Sequence, residues 1–97
     1  MLPVAKSIIS NDPKCFVCGC PYKLHRHHIY GGVGRRDKSE EYGCWVYLCA
    51  RHHDLSNSGV HYYKPLDDKL KKLCQEEWEK RFGSTEDFIR IFGRNYL

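Results

Sequence analysis

Apolar and polar positions follow two regimes along this 97-residue chain. Up to about residue 60 the apolar residues come in short bursts between turn signals. "CFVCGC" (15–20) reads as a tight knuckle, and "YKLHRHHIY" (22–30) as a short strand. "GGVGRRDKSEEYG" (31–43) reads as a polar, glycine-rich loop. "CWVYLC", Cys44 to Cys49, is the strongest strand signal, with aromatic and β-branched residues between turn formers. "ARHHDLSN" (50–57) predicts a short helix stopped at Ser58-Gly59. Residues 1–14 form a lead-in that ends in the turn chemistry of "NDP".

Beyond Pro65 the period lengthens. Leu66, Leu70, Leu73, Cys74, Trp78 and Phe82 recur at three- and four-residue steps, the signature of an amphipathic helix, with Gly83 as its cap. Ser84 opens a second helix, with Glu86 and Asp87 in its first turn and Phe88, Ile89, Ile91 and Phe92 as its apolar face. Trp45, Tyr47, Trp78, Phe82, Phe88 and Phe92 are expected in the core, as are Cys44 and Cys74. The order predicts a small α+β fold: knuckle, strand, loop, strand, short helix, then two C-terminal helices.

This length suits a single domain over 1–97 with a modest core. A composition of 41% hydrophobic and 29% charged residues is that of a folded globular chain. The net charge of +4 is unevenly spread: residues 1–51 carry eight Lys/Arg against four Asp/Glu, whereas 52–97 carry eight of each. That asymmetry favours a polyanionic partner on the N-terminal half. No run approaches the roughly 20 apolar residues of a membrane span. The N-terminal "MLPVAKSIIS" lacks the basic-then-apolar order of a secretory leader, so the expected setting is cytoplasmic, where cysteines are kept reduced.

Clustered cysteines and histidines in such a setting point to zinc. Cys15 and Cys18 form a C-x2-C pair, and Cys49 with His52 forms a C-x2-H pair. Together they supply the four N/S ligands of a closed structural Zn2+ site. Cys20 is an alternative to Cys18. The histidines exceed what such a site can use: His27, His28 and His53 remain. Adjacent strand residues face opposite ways, so His27 and His28 serve different tasks. His25, which alternates with His27, reads as a solvent-facing residue.

Over about residues 15–61 these elements resemble the HNH endonucleases, whose unit is the ββα-metal (His-Me) finger. The residues that carry the likeness are "CFVC", "HHI", the polar loop, "WVYLC" and "CARHH". The run "SEEYG…LC…HH…GVH" is similar to the small HNH proteins of phages and prophages. The resemblance implies a ββα-metal core with a zinc knuckle (15–61) and a helical extension (66–97). It implies hydrolysis of DNA phosphodiesters to 5′-phosphate and 3′-hydroxyl ends in the cytoplasm of a bacterial host. His28 would be the general base, and His27 and His53, with His61 as a third, would ligate one catalytic divalent ion. An imidazole set favours Mn2+, Ni2+ or Zn2+ over Mg2+. Arg35, Arg36 and Lys38, in the loop, would contact phosphates.

Where the family has its middle Asn, this chain has Cys44, a poor hydrogen-bonding substitute. The departure keeps open a competing reading, a zinc-stabilised module that binds nucleic acid without cutting it. A third reading is an assembly factor that uses the C-terminal helices for protein contacts. Nothing marks a recognition helix, so low sequence specificity and nicking are expected. Cleavage of both strands would need a dimer or two encounters; a homodimer or other phage proteins are the candidate protein partners, and no small-molecule cofactor is implied.

Overall fold

The computed structural model describes residues 6–32, 34–55 and 63–97. Its elements run β1 (Leu24–His28), α1 (Arg35–Tyr42), β2 (Trp45–Cys49), one π-helical turn (Arg51–Leu55), α2 (Lys64–Arg81) and α3 (Thr85–Phe92). This is an α+β fold: a two-stranded hairpin followed by helices, two of them C-terminal. The strands pair antiparallel with Leu24 opposite Cys49 and His28 opposite Trp45. That register brings the start of β1 beside the end of β2, where Cys15, Cys18, Cys49 and His52 gather.

The segment expected to be a polar loop contains a helix. Its mean hydropathy is low and only Ser39 of its residues is buried, so the apolar periodicity that reveals a helix is missing. Glycines in the left-handed region bound it, Gly34 (φ 80°) and Gly43 (φ 74°). At Gly43 the requirement is steric as well, because a Cβ there would collide with the Lys6 carbonyl. The residue's own C=O also accepts from the Ile8 N–H at 3.0 Å. Through that bond the lead-in becomes part of the fold, and Ile8 joins the core.

The helical half matches its periodicity. Leu70, Cys74 and Trp78 of α2 meet Phe88 and Phe92 of α3 against Ile29, Tyr30, Cys44, Val46 and Leu48. Side chains of this kind stabilise by about 1.5–3 kcal/mol each when fully buried. The Ser84 side chain caps α3 by accepting from the Asp87 N–H, and the Asp87 carboxylate accepts from the Ser84 N–H in return. Buried Gln75 donates to Glu79 and Asn95 and accepts from the Tyr96 N–H, which pins the C-terminal residues to α2.

Several expectations need correction. Phe82 rather than Gly83 closes α2, its N–H donating to the Trp78 carbonyl, and Gly83 sits tight against the Asp87 side chain. Phe82 is 49% exposed and Ile89 38%, so neither is core, while Tyr47 is only half-buried. The predicted helix at 50–57 is a single π turn where it is described, and Ser58-Gly59 lies outside the described residues. Among the described residues no helix is long and apolar enough to cross a membrane.

Candidate metal centre and histidine cleft

Two C-x2 pairs meet at the open end of the hairpin. The first belongs to a turn in which the Gly19 N–H donates to the Cys15 carbonyl and the Cys15 N–H to the Cys20 carbonyl, each at 2.8 Å. Gly19 takes φ 78°, a conformation that suits glycine. The Phe16 N–H donates to the Tyr47 carbonyl at 2.8 Å, which fastens this turn to the edge of β2. The second pair spans the end of β2 (Cys49) and the π turn (His52).

The four ligand atoms of Cys15, Cys18, Cys49 and His52 all lie within 4.8 Å of one another. Cys18 and Cys49 sulfurs are 3.8 Å apart, and His52 Nδ1 is 3.7 Å from the Cys15 sulfur and 3.4 Å from that of Cys49. An ion at about 2.3 Å from sulfur and 2.05 Å from nitrogen, bound tetrahedrally, sets S···S near about 3.8 Å and S···N near about 3.5 Å. The donor set and these three distances therefore fit a structural zinc. Burial pushes the Cys15 thiol up, but the backbone amides of Cys49, Cys18 and Val17 outweigh it and bring the thiol down to about 6. Such a sulfur carries the negative charge that a metal ligand needs. Cys20, the alternative ligand, stands outside the group, 3.7 Å from the Tyr22 carbonyl.

The remaining histidines gather around β1, divided by the alternation of the strand. His25 and His27 share one side with His53: His25 Nδ1 lies 2.9 Å from His53 Nδ1, and the His27 and His53 rings are 5.5 Å apart. His27 is buried and His25 is exposed. On the other side His28 Nε2 lies 2.6 Å from Glu40 Oε2, and Glu40 Oε1 is 2.9 Å from an Arg26 nitrogen. The Arg26 guanidinium rests 4.0 Å above the Trp45 ring. Members of both groups line a cavity of about 280 Å³, formed by Arg26, His27, His28, Gly31, Gly32, Arg36 and His53.

Of the three basic residues expected to meet phosphate, Arg36 borders this cavity. Arg35 lies by Gly93 at the end of α3, and Lys38 pairs with Glu41 at 3.2 Å. His61 lies outside the described residues.

Ser39 ties α1 to the backbone that follows β1. Its hydroxyl donates to the Tyr30 carbonyl at 2.8 Å and accepts from the Tyr30 N–H at 3.1 Å, and the residue is fully buried. Cys44 is buried in the core beside Cys74, and its backbone bonds to Ser39 and Ile29. The backbone just beyond His28 is thus clamped by a serine hydroxyl on α1. Replacing Ser39 by Ala strands a buried N–H and C=O, at a cost of about 1–3 kcal/mol per group. The S39A variant is expected to show a lower urea midpoint with an unchanged m-value.

Sequence reasoning missed Ser39, Glu40 and Arg26 as parts of this site; His25 is exposed, as expected, and also meets His53. Reading 31–43 as a loop hid them. Once α1 is recognised, Arg36 and Glu40 fall four residues apart on one face, toward the strand. Comparison of the chain with family models, curated proteins and solved structures finds no match.

Proposed function

We propose that this protein is a metal-dependent DNA endonuclease of the HNH kind. One observation carries the reading: His27 and His53 border the same cavity as His28, whose far nitrogen is held by a carboxylate, with two arginines on the rim. A pure binding module has no use for that combination. A polyanion fits a cleft edged by Arg26 and Arg36 on the basic half of the chain.

In this proposal His28 takes a proton from the attacking water. His27 and His53 hold a divalent ion, with His25 beside His53. That ion, when bound, neutralises charge on the phosphate and on the departing 3′-oxygen. Arg26 and Arg36 hold the phosphodiester across the cleft by guanidinium–oxygen pairing. Ser39 keeps the backbone after His28 in place, the task that falls to an Asn in the family this chain resembles. The Cys3His cluster holds the strand ends and the π turn, and so sets the separation of His53 from β1. Among the described residues no helix is marked as a recognition element, which favours nicking with low sequence specificity.

The test is incubation of supercoiled plasmid with the purified protein and Mg2+, Mn2+, Ni2+ or Zn2+ in separate reactions. Conversion to nicked circles in at least one metal is the expected result. Plasmid that is bound yet stays supercoiled with every metal would overturn the reading in favour of a zinc-stabilised nucleic-acid-binding module.

A further inference from the structure

A general base must present one nitrogen to the proton it takes, and a neutral imidazole has two tautomers. At His28 the choice is not left to solvent. A carboxylate oxygen only accepts hydrogen bonds, so the 2.6 Å contact between His28 Nε2 and Glu40 Oε2 requires the hydrogen to sit on Nε2. Among the described residues Nδ1 of the same ring makes no hydrogen bond. Glu40 is itself held, because its second oxygen meets Arg26 at 2.9 Å, and the Arg26 guanidinium rests 4.0 Å above the buried Trp45 ring.

We infer that Glu40 is the positioning residue of this site: it locks His28 in the Nε2–H tautomer and leaves Nδ1 as the proton-accepting nitrogen. Arg26 and Trp45 form the brace behind it. The inference rests on the proposed role of His28 as base. It differs from an ordinary surface ion pair in what it demands of the ring. A surface pair needs charge on both partners, whereas a positioning carboxylate needs only an acceptor at that point in space. Gln, which keeps an acceptor oxygen and loses the charge, therefore separates the two.

The experiment reads tautomer and catalysis independently. Long-range 1H–15N correlation spectra of histidine-labelled, zinc-loaded protein, with the His28 signals assigned by loss in His28→Ala, are recorded at mildly alkaline pH for wild type, Glu40→Gln and Glu40→Ala. Wild type and E40Q are expected to show Nε2–H at His28, and E40A a mixture. In plasmid nicking at saturating DNA, E40A is expected to lose about 10- to 100-fold in kcat, by analogy with the loss of other ligand-orienting partners. E40Q is expected to recover most of that loss. A wild-type His28 found as Nδ1–H overturns the assignment whether or not the protein cuts DNA. So does an E40A spectrum identical to wild type, and so does an E40Q variant as impaired as E40A. If wild type holds the Nε2–H tautomer but cuts no DNA with any metal, the nuclease reading falls while the Glu40 lock stands.

Discussion

Stripping metal from the Cys15/Cys18/Cys49/His52 cluster is expected to abolish the cooperative unfolding transition of the protein. The ligands come from a turn whose own backbone bonds are few and from the end of a two-stranded sheet, which is at best marginal on its own. Structural zinc contributes apparent binding free energies of about 10–16 kcal/mol in small finger domains, comparable with the whole stability of an ordinary domain. Calorimetry before and after dialysis against a strong chelator measures this, and one equivalent of Zn2+ should restore the transition. Co2+ in its place should give the intense visible bands of a tetrahedral thiolate site, and Cys49→Ser should weaken them. An unchanged melting profile after complete metal removal would mean that the hydrophobic core alone holds the fold.

The pH dependence has a definite sign. The folded Cys15 thiol sits near 6, below its ordinary value of 9.0. A depressed acid stabilises the fold in its ionised form, so the contribution is complete above about 9 and is lost as pH falls through about 6. Protons compete with metal for the same sulfur. Zinc release into a chromogenic chelator should therefore accelerate as the solution is acidified.

Replacing His28 by Ala is expected to cost about 10²–10⁴-fold in the nicking rate, the usual contribution of a positioned general base. Arg26, Arg36, His27 and His53 remain in the variant, so its DNA affinity by fluorescence anisotropy should match wild type. Loss of rate without loss of binding assigns the ring to the chemical step. Full activity in H28A would transfer the role of base to another group and remove the main support for the proposed mechanism.

How much of this was legible beforehand differs from element to element. The two strands and the C-terminal helices follow from local signals: "WVYLC" alternates little because both of its faces are covered, and Leu70, Cys74 and Trp78 repeat at helical steps because one face of α2 packs on the core. Ser84 and Asp87 announce the start of α3 through chemistry confined to four residues. The Cys3His set was legible for a similar reason, since each C-x2 pair brings two ligands together within one turn. Helix α1 was hidden. Its sequence, RRDKSEEY, buries one small polar side chain, and glycines at both ends made it look like a loop. Phe82 was misplaced because periodicity states which face a residue takes, not whether anything covers that face at the helix end.

By itself, then, the sequence determined the fold class, the helical half of the core and the two C-x2 pairs that make up the Cys3His cluster, because all of these rest on neighbours within a turn or two of chain. Tertiary structure alone decided what surrounds His28. Glu40 lies twelve residues from it, Ser39 lies nine from Tyr30, and His53 lies twenty-six from His27. No local pattern ties such residues together. They meet because the antiparallel register sets β1 beside β2 and the π turn, while Ser39 docks α1 against the backbone beyond β1. The ligand cluster is a property of short spacings. The cleft is a property of how the chain returns on itself.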